Sequence, residues 1–324
     1  MAKDIKVGII GAAGYTAGEL IRILINHPNA VIHFLQSESQ AGKKVYEVHT
    51  DLLGDIEAKF VGQVDLGSAD VIFLCKGHGE SKKFLDANKV PASTKIIDLS
   101  HDFRLKAQDN EFIYGLPELN REVIKPSSKV ANPGCFATCI QLGLLPAAAN
   151  ELIHGEINIS GITGSTGAGQ SLSPTSHFSW RNNNLSVYKA FTHQHLGEIG
   201  ESLKQLDGTD HSVNFIPYRG DFTRGIIITS YFDSNVSEEE AINSYQLYYQ
   251  DHPFTIVTET NPNLKQVVNT NKAFIHVEKH GEKLMVISVI DNLLKGASGQ
   301  AVQNMNLIFG LEETVGLRLK SIAF

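Results

Sequence analysis

The sequence predicts an α/β protein of two domains, a parallel sheet wound with helices followed by an α+β domain. Three observations carry this. First, a β-branched apolar run from Lys3 to Ile10 feeds the turn Gly11-Ala12-Ala13-Gly14, which opens an amphipathic segment from Tyr15 to about Asn26. Second, short apolar runs follow at Val31–Leu35, Val71–Cys75 and Lys95–Ser100, as expected of parallel strands buried on both faces. Third, the pattern changes near residue 132, beyond which strands such as Glu156–Ile162 and Lys283–Ile290 mix with helices. With 324 residues the chain is long enough for two full cores. The expected division is residues 1–131 plus 300–324 against 132–299, the last helix returning to the first domain.

Gly8, Gly11 and Gly14 stand in a G-x-x-G-x-x-G spacing between a strand and a helix. That order of elements cradles a pyrophosphate at a helix N-terminus, so the first domain reads as Rossmann-type and dinucleotide-binding. The spacing departs from G-x-G-x-x-G, and a turn that merely packs helix on sheet is the alternative. Gly11, Ala13, Gly14, Tyr15 and Thr16 are the residues assigned to the dinucleotide. The second strand should end at the adenosine ribose, where the chain reads Gln36-Ser37-Glu38-Ser39, with Lys43 and Lys44 nearby. Ser37, Ser39 and the lysines suit the 2′-phosphate of NADP(H); Glu38 favours the free hydroxyl of NAD.

Composition narrows the partners. The charge of −7 argues against nucleic acid and acidic membranes. The longest apolar runs fall short of the ~18 residues of a membrane span, and the N-terminal run dissolves into glycine without a signal-peptide core. Three cysteines without a CxxC pair fit a reducing compartment, and a cytoplasmic protein is expected. Only seven arginines are available to hold an anionic substrate.

The chemistry is expected at Asn132-Pro133-Gly134-Cys135. Asn132 is a good N-cap and Pro133 suits the first helical position, which puts Cys135 in the first turn. There the helix dipole and unpaired N–H groups lower a thiol pKa from roughly 8.5 and offer donors to an oxyanion. Cys139, one turn on, reads as core, and Cys75 as the inert end of a buried strand. His193-Gln194-His195 supplies a base, His195 being favoured because it opens a helix carrying Glu198. The two histidines lack the further partners of a metal site, and none is expected. Arg104, Arg219 and Arg224 lie near strand ends and are the candidates for substrate binding. The loop Thr163–Gly169 suits a phosphate or nicotinamide, and the polar stretch Gln170–Leu185 reads as a long functional loop. Ser237-Glu238-Glu239-Glu240 opens a capped helix running to about Tyr249. A cysteine hydrolase or acyltransferase would need Cys135 and a histidine but no dinucleotide; a cofactor-sensing module would need the glycine turn but not Cys135.

These residues together resemble a family. Gly11-Ala12-Ala13-Gly14-Tyr15, Asp98-Leu99-Ser100 with Asp102-Phe103-Arg104, Tyr114-Gly115-Leu116-Pro117-Glu118 and Asn132-Pro133-Gly134-Cys135 are similar to motifs of the N-acetyl-γ-glutamyl-phosphate reductases. His193-Gln194-His195 and Asp291-Asn292-Leu293-Leu294-Lys295-Gly296 extend the likeness nearly end to end. The resemblance implies a catalytic domain of the semialdehyde/glyceraldehyde-3-phosphate dehydrogenase type. It implies NADPH-dependent reduction of an N-acylglutamyl phosphate in arginine biosynthesis, through a thioester on Cys135, by a homodimer or homotetramer. Gly167 and Asn292 would then sit near the nicotinamide. N-succinyl or aminoadipyl analogues of the substrate share these motifs, and aspartate-semialdehyde dehydrogenase is the related alternative. Three departures stand out: Glu38 replaces a common arginine, Lys76-Gly77 replaces Leu-Pro, and Thr16-Ala17-Gly18 replaces Thr-Gly-Ala, the last a swap expected to be harmless.

Overall fold

The N-terminal elements are β1 (Ile5–Ile10), α1 (Tyr15–Leu24), β2 (Ala30–Gln36), β3 (Val71–Leu74), α2 (Glu80–Ala87), β4 (Lys95–Asp98), β5 (Ile113–Tyr114), α3 (Pro117–Ile124) and β6 (Lys129–Ala131), with β1, α1, β2, β3 and β4 in the expected order. The computed structural model describes residues 4–106 and 110–323; Lys3 and Phe324, at the ends of the expected first strand and last segment, lie outside them. The six strands form one sheet in the order β2-β1-β3-β4-β6-β5, every pair parallel. Such strands must be apolar on both faces, and Val71, Ile72, Phe73 and Leu74 are all fully buried. The chain leaves β1 toward β2 on one side and reaches β3 on the other. Ligands of open α/β sheets bind at the carboxyl ends of strands beside such a switch.

The second set comprises α4 (Cys135–Ala149), β7 (His154–Thr163), α5 (Phe178–Arg181), β8 (Ser186–Val187), α6 (Leu196–Asp207), β9 (Val213–Arg219), β10 (Ile226–Asp233), α7 (Glu238–Tyr249), β11 (Thr255–Val257), β12 (Ala273–His280) and β13 (Lys283–Ile290). Seven strands make a mixed sheet in the order β11-β12-β13-β10-β7-β9-β8. The chain divides into two compact units, Met1–Pro133 with Ala297–Arg318 and Gly134–Gly296 with Leu319–Phe324. The last helix, α8 (Gly299–Ile308), therefore belongs to the first unit. The tail beyond Arg318 goes with the second unit, not the first as expected. Its Lys320 carbonyl accepts the Asn269 side chain, and its Ala323 N–H reaches the Lys265 carbonyl.

The centre of the second unit is α4, buried from Phe136 to Ala148 because it is apolar all round. Pro146 lies inside it and has no N–H to give the Leu142 carbonyl four residues back. Tyr249 of α7 fills that vacancy, its Oη donating to Leu142 O at 2.6 Å, while Tyr245 Oη donates to Gly143 O at 2.7 Å. Two hydroxyls thus peg α7 to the backbone of α4.

Several elements escaped the sequence reading. β5, β8 and β11 have two or three residues each, too few for a periodic signal. The Gln170–Leu185 stretch holds a helical turn at Pro174–Ser176 and α5, so it is not irregular throughout.

Candidate active site

The cap of α4 is Gly134, not Asn132, and Cys135 is the first helical residue; Pro133 precedes the helix. Asn132 fails as a cap because its side chain serves its own unit. Its Nδ2 donates to the Ala297 carbonyl at 3.1 Å, and its Oδ1 accepts from Asn304 Nδ2 at 3.1 Å. The first turn of α4 is satisfied from α6 and the residue that caps it. Glu198 Oε2 accepts the Gly134 N–H at 2.9 Å, and His195 Nδ1 accepts the Ala137 N–H at 3.3 Å. Both acceptors are buried. Glu198 Oε1 lies 3.9 Å from His195 Nε2. A ring nitrogen that accepts an amide proton leaves the other nitrogen to carry the proton of the neutral ring, so His195 presents Nε2–H.

Cys135 is half-buried. A Cβ at Gly296 would come within 2.8 Å of the Cys135 Cβ, so only glycine lets that turn pass beside the thiol-bearing residue. The other two cysteines have different surroundings. Burial pushes the Cys75 thiol up to about 12, and raises that of Cys139, whose Sγ reaches the Ser288 carbonyl at 3.4 Å. Neither can be a thiolate near neutral pH.

His193 takes the other role open to a histidine. Its Nδ1 accepts the His195 backbone N–H at 3.2 Å, and its ring is walled by Phe136, Phe215 and Tyr188. Burial, with the charges of Lys189 and Arg219, lowers its pKa to about 4. It is neutral at pH 7. Tyr188 is held protonated in the same cluster: burial and the charge of Cys135 push it up to about 12, opposed by Arg219.

The three candidate arginines differ in what they already hold. Arg219 packs over the Tyr188 ring at 4.6 Å, and its Nε has no hydrogen-bond partner among the described residues. Arg224 pairs with the fully buried Asp291 at 3.0 Å. Arg104, in the first unit, is buried and donates to the carbonyls of Asn132 and Leu99, both at 2.9 Å.

Two features had no sequence signal. Tyr188 follows an edge strand too short to read. Arg181 is 6% exposed, and all five of its N–H donors are used, on the carbonyls of Thr175, Asn184 and Arg219 and on Ser186 Oγ. It pins the 175–186 segment to the end of β9 at Arg219.

The loop after β7 forms a 3-10 turn at Ser165–Ala168. Asn292 ties it down, donating to Thr166 Oγ1 at 3.0 Å while its Oδ1 accepts the Gly225 N–H at 2.7 Å. Gly167 lies beside it; a Cβ there would be 3.9 Å from Asn292 Nδ2.

In the first unit the glycine turn fits a pyrophosphate. Gly11 has φ +77, and a Cβ there would lie 2.8 Å from the Cys75 carbonyl oxygen. Gly14 caps α1 with no side-chain hydrogen bond, and nothing lies within 4 Å of where its Cβ would be. Ala13, Tyr15 and Thr16 complete this turn, with the Thr16 carbonyl accepting Ser298 Oγ at 2.7 Å. The Thr16-Ala17-Gly18 order is not a free swap. A Cβ on Gly18 would sit 2.7 Å from His49 Nδ1, and that buried ring supports the turn by bonding the Ala12 carbonyl at 2.9 Å. At the ribose edge Ser37 is buried, whereas Glu38 and Ser39 are exposed. Among the described residues no group of three or more His, Cys, Asp or Glu side chains is placed to hold a metal ion.

Comparison with known proteins agrees with this division. Residues 6–127 match the family described as semialdehyde dehydrogenase, NAD binding domain, and residues 135–292 match semialdehyde dehydrogenase, dimerisation domain. A protein of Bacteroides thetaiotaomicron named N-acetyl-γ-glutamyl-phosphate reductase is 58% identical over 99% of this chain and 100% of its own. One of the same name from Phocaeicola vulgatus is 60% identical over the same shares. Among solved structures, a probable aspartate-semialdehyde dehydrogenase from Pseudomonas aeruginosa superposes with a TM-score of 0.74 at 16% identity, covering 95% of this chain and 99% of that one. At that identity the likeness concerns the fold.

Proposed function

The chain belongs to the semialdehyde dehydrogenase family, among its N-acetyl-γ-glutamyl-phosphate reductases, and we propose that it reduces N-acetyl-γ-glutamyl phosphate to N-acetylglutamate 5-semialdehyde with release of phosphate, a step of arginine biosynthesis. The observation that carries the chemistry is Cys135 at the first position of α4, with Glu198 and His195 bound to the same turn.

The Cys135 thiolate, favoured by the helix N-terminus, attacks the acyl carbon. A C–S bond forms, the C–O bond to phosphate breaks, and phosphate leaves with the electron pair. When bound, the reduced nicotinamide supplies the hydride. The resulting thiohemiacetal oxyanion re-forms its C=O bond and expels the thiolate, which frees the aldehyde. The protein's task is to stabilise charge on that oxygen and on sulfur. His195 is the proposed donor from Nε2, with first-turn amides of α4, that of Phe136 among them, as the proposed further donors to the oxyanion. His193, neutral at pH 7, positions His195 through its backbone N–H and packs its ring among Phe136, Phe215 and Tyr188.

Arg219 is the proposed first contact for the substrate's phosphate or carboxylate, because its guanidinium faces an aromatic ring while Arg104 and Arg224 already hold carbonyls and a carboxylate. Those two add charge in the proposal. Gly11, Ala13, Gly14, Tyr15 and Thr16 are the proposed dinucleotide contacts of the first unit; Gly167 and Asn292 are proposed for the nicotinamide from the family resemblance. The coenzyme is NADP(H), met at the ribose by Ser37, Ser39 and the exposed Lys43. The assembly is a homodimer or a tetramer built from dimers, formed through the seven-stranded sheet. Helices cover one face; on the other, Ile227, Met285 and Ile287 remain part-exposed in the alternating pattern of β10 and β13. The enzyme is placed in the cytoplasm, where free thiols persist; no helix among the described residues is long and apolar enough to cross a membrane.

A phosphate-dependent oxidation assay tests the reading, comparing N-acetyl- with N-succinyl-glutamate semialdehyde and with aspartate semialdehyde. Preference for the N-acetyl compound is expected. Preference for either of the others would overturn the substrate assignment.

A further inference from the structure

We infer that Arg181 is a positioning residue for substrate binding: buried and bonded to protein oxygens alone, it holds Arg219 and the ring beneath it in place as an anion contact. This rests on Arg219 meeting the substrate's phosphate or carboxylate, as proposed above, and assigns what keeps it there. The segment after Arg181 carries Tyr188, over whose ring the Arg219 guanidinium lies. Its backbone pairing to β9 is short. In β8 only Ser186 and Val187 pair, with Arg219 and Tyr218, and the N–H groups of Tyr188 and Phe191 then reach the carbonyls of Pro217 and Phe215. Two residues fall below the usual length of a strand. The segment is also bent at Asn183, Lys189 and Phe191, with φ of +54, +46 and +57. Such left-handed residues persist where the surrounding contacts impose them.

Arg181 supplies contacts of that kind. From one planar group it donates to the carbonyls of Thr175, Asn184 and Arg219 and to Ser186 Oγ, the bond to Arg219 being 2.6 Å long. The start of the segment, its turn, β8 and the backbone of Arg219 are thus fastened to a single point. A lysine, with three donors on one atom and no fixed fork, cannot reproduce this. The acceptors are all uncharged. Burial and the charge of Arg219 act against the protonated form of Arg181, and Asp221 acts for it. Of these two neighbouring cations, Arg219 is the more exposed, and its Nε has no hydrogen-bond partner among the described residues. An incoming anion is therefore met by Arg219, with Arg181 behind it.

Phosphate-dependent oxidation of the semialdehyde tests this, because inorganic phosphate and the substrate carboxylate then arrive on different molecules. KM for each is measured with the other saturating, in Arg219→Met, Arg181→Met, Arg181→Lys and the double Met variant. Arg219→Met should raise one of the two KM values by about tenfold or more, the scale of one charged hydrogen bond, and which one it is identifies the anion. Arg181→Met should raise the same KM by about tenfold, with kcat and the coenzyme KM within about threefold of wild type, and should add nothing to Arg219→Met in the double variant. Arg181→Lys, which keeps the charge but not the fork, should fall between wild type and Arg181→Met, and carries the test if Arg181→Met folds poorly. Wild-type KM values in Arg181→Lys, or a loss in Arg181→Met that falls on kcat alone or adds in full to Arg219→Met, would overturn the inference while the Arg219 reading stands. No change in either KM for Arg219→Met would overturn both.

Discussion

Helices α1 and α4 both begin at a glycine, with nearly the same cap geometry: φ −81, ψ 169 at Gly14 and φ −71, ψ 150 at Gly134. Their surroundings differ. The start of α1 receives no side-chain cap, and the space over Gly14 is open. The start of α4 is bound by Glu198 and His195. One helix N-terminus keeps its partial positive charge for an incoming anion. The other spends two of its orphan amides on fixing the side chains proposed to serve Cys135. The same local sequence signal, glycine before a helix, therefore serves binding in one unit and preorganisation in the other.

Substitutions can break that contrast. The largest effect is expected at the α4 end. His195→Asn removes the Nε2–H donor and should lower kcat by about 10²–10⁴-fold while leaving dinucleotide affinity unchanged. An equal loss of both in steady-state and binding assays would show that the histidine holds the fold and not the reaction. At the α1 end the reverse is expected. Gly11→Ala places a Cβ 2.8 Å from the Cys75 carbonyl in a backbone of φ +77, which costs about 1–3 kcal/mol of local strain. Dinucleotide affinity should fall more than about tenfold, while alkylation of Cys135 by iodoacetamide keeps its rate.

A smaller effect separates His193 from His195. Burial lowers the His193 pKa to about 4, from 6.5 in an unfolded chain. Between those values the unfolded state binds more protons, so stability is full above pH 6.5 and falls as pH drops toward 4. The loss amounts to about 3 kcal/mol at most. Denaturant melts from pH 7 to 4 should show that slope in the wild type and a shallower one in His193→Phe. Equal slopes would mean that His193 is protonated in the folded protein.

Much of the contrast was legible in the sequence, for reasons that differ by residue. The β1–turn–α1 unit announces itself because glycine spacing, strand and helix are contiguous. Cys135 was found at a helix start because Asn-Pro-Gly is rich in helix-start residues, yet the cap itself was misplaced by two positions. Asn132 and Gly134 both qualify locally, and only the buried partner Asn304, 172 residues away, decides between them. The hold of Glu198 on Gly134, the five bonds of Arg181 and the Gly18–His49 fit are likewise long-range. No window of local sequence contains both halves of such a contact. For that reason the exchange at Gly18 looks harmless in the sequence, although His49 depends on it.

In the proposed reaction Cys135 becomes acylated before any hydride is transferred. Mixing the enzyme with N-acetyl-γ-glutamyl phosphate in the absence of reduced nicotinamide isolates that step. A burst of one phosphate per site is expected, together with the N-acetylglutamyl mass on the peptide carrying Cys135 and neither signal in Cys135→Ser. No burst, or an adduct on any other residue, would contradict the account.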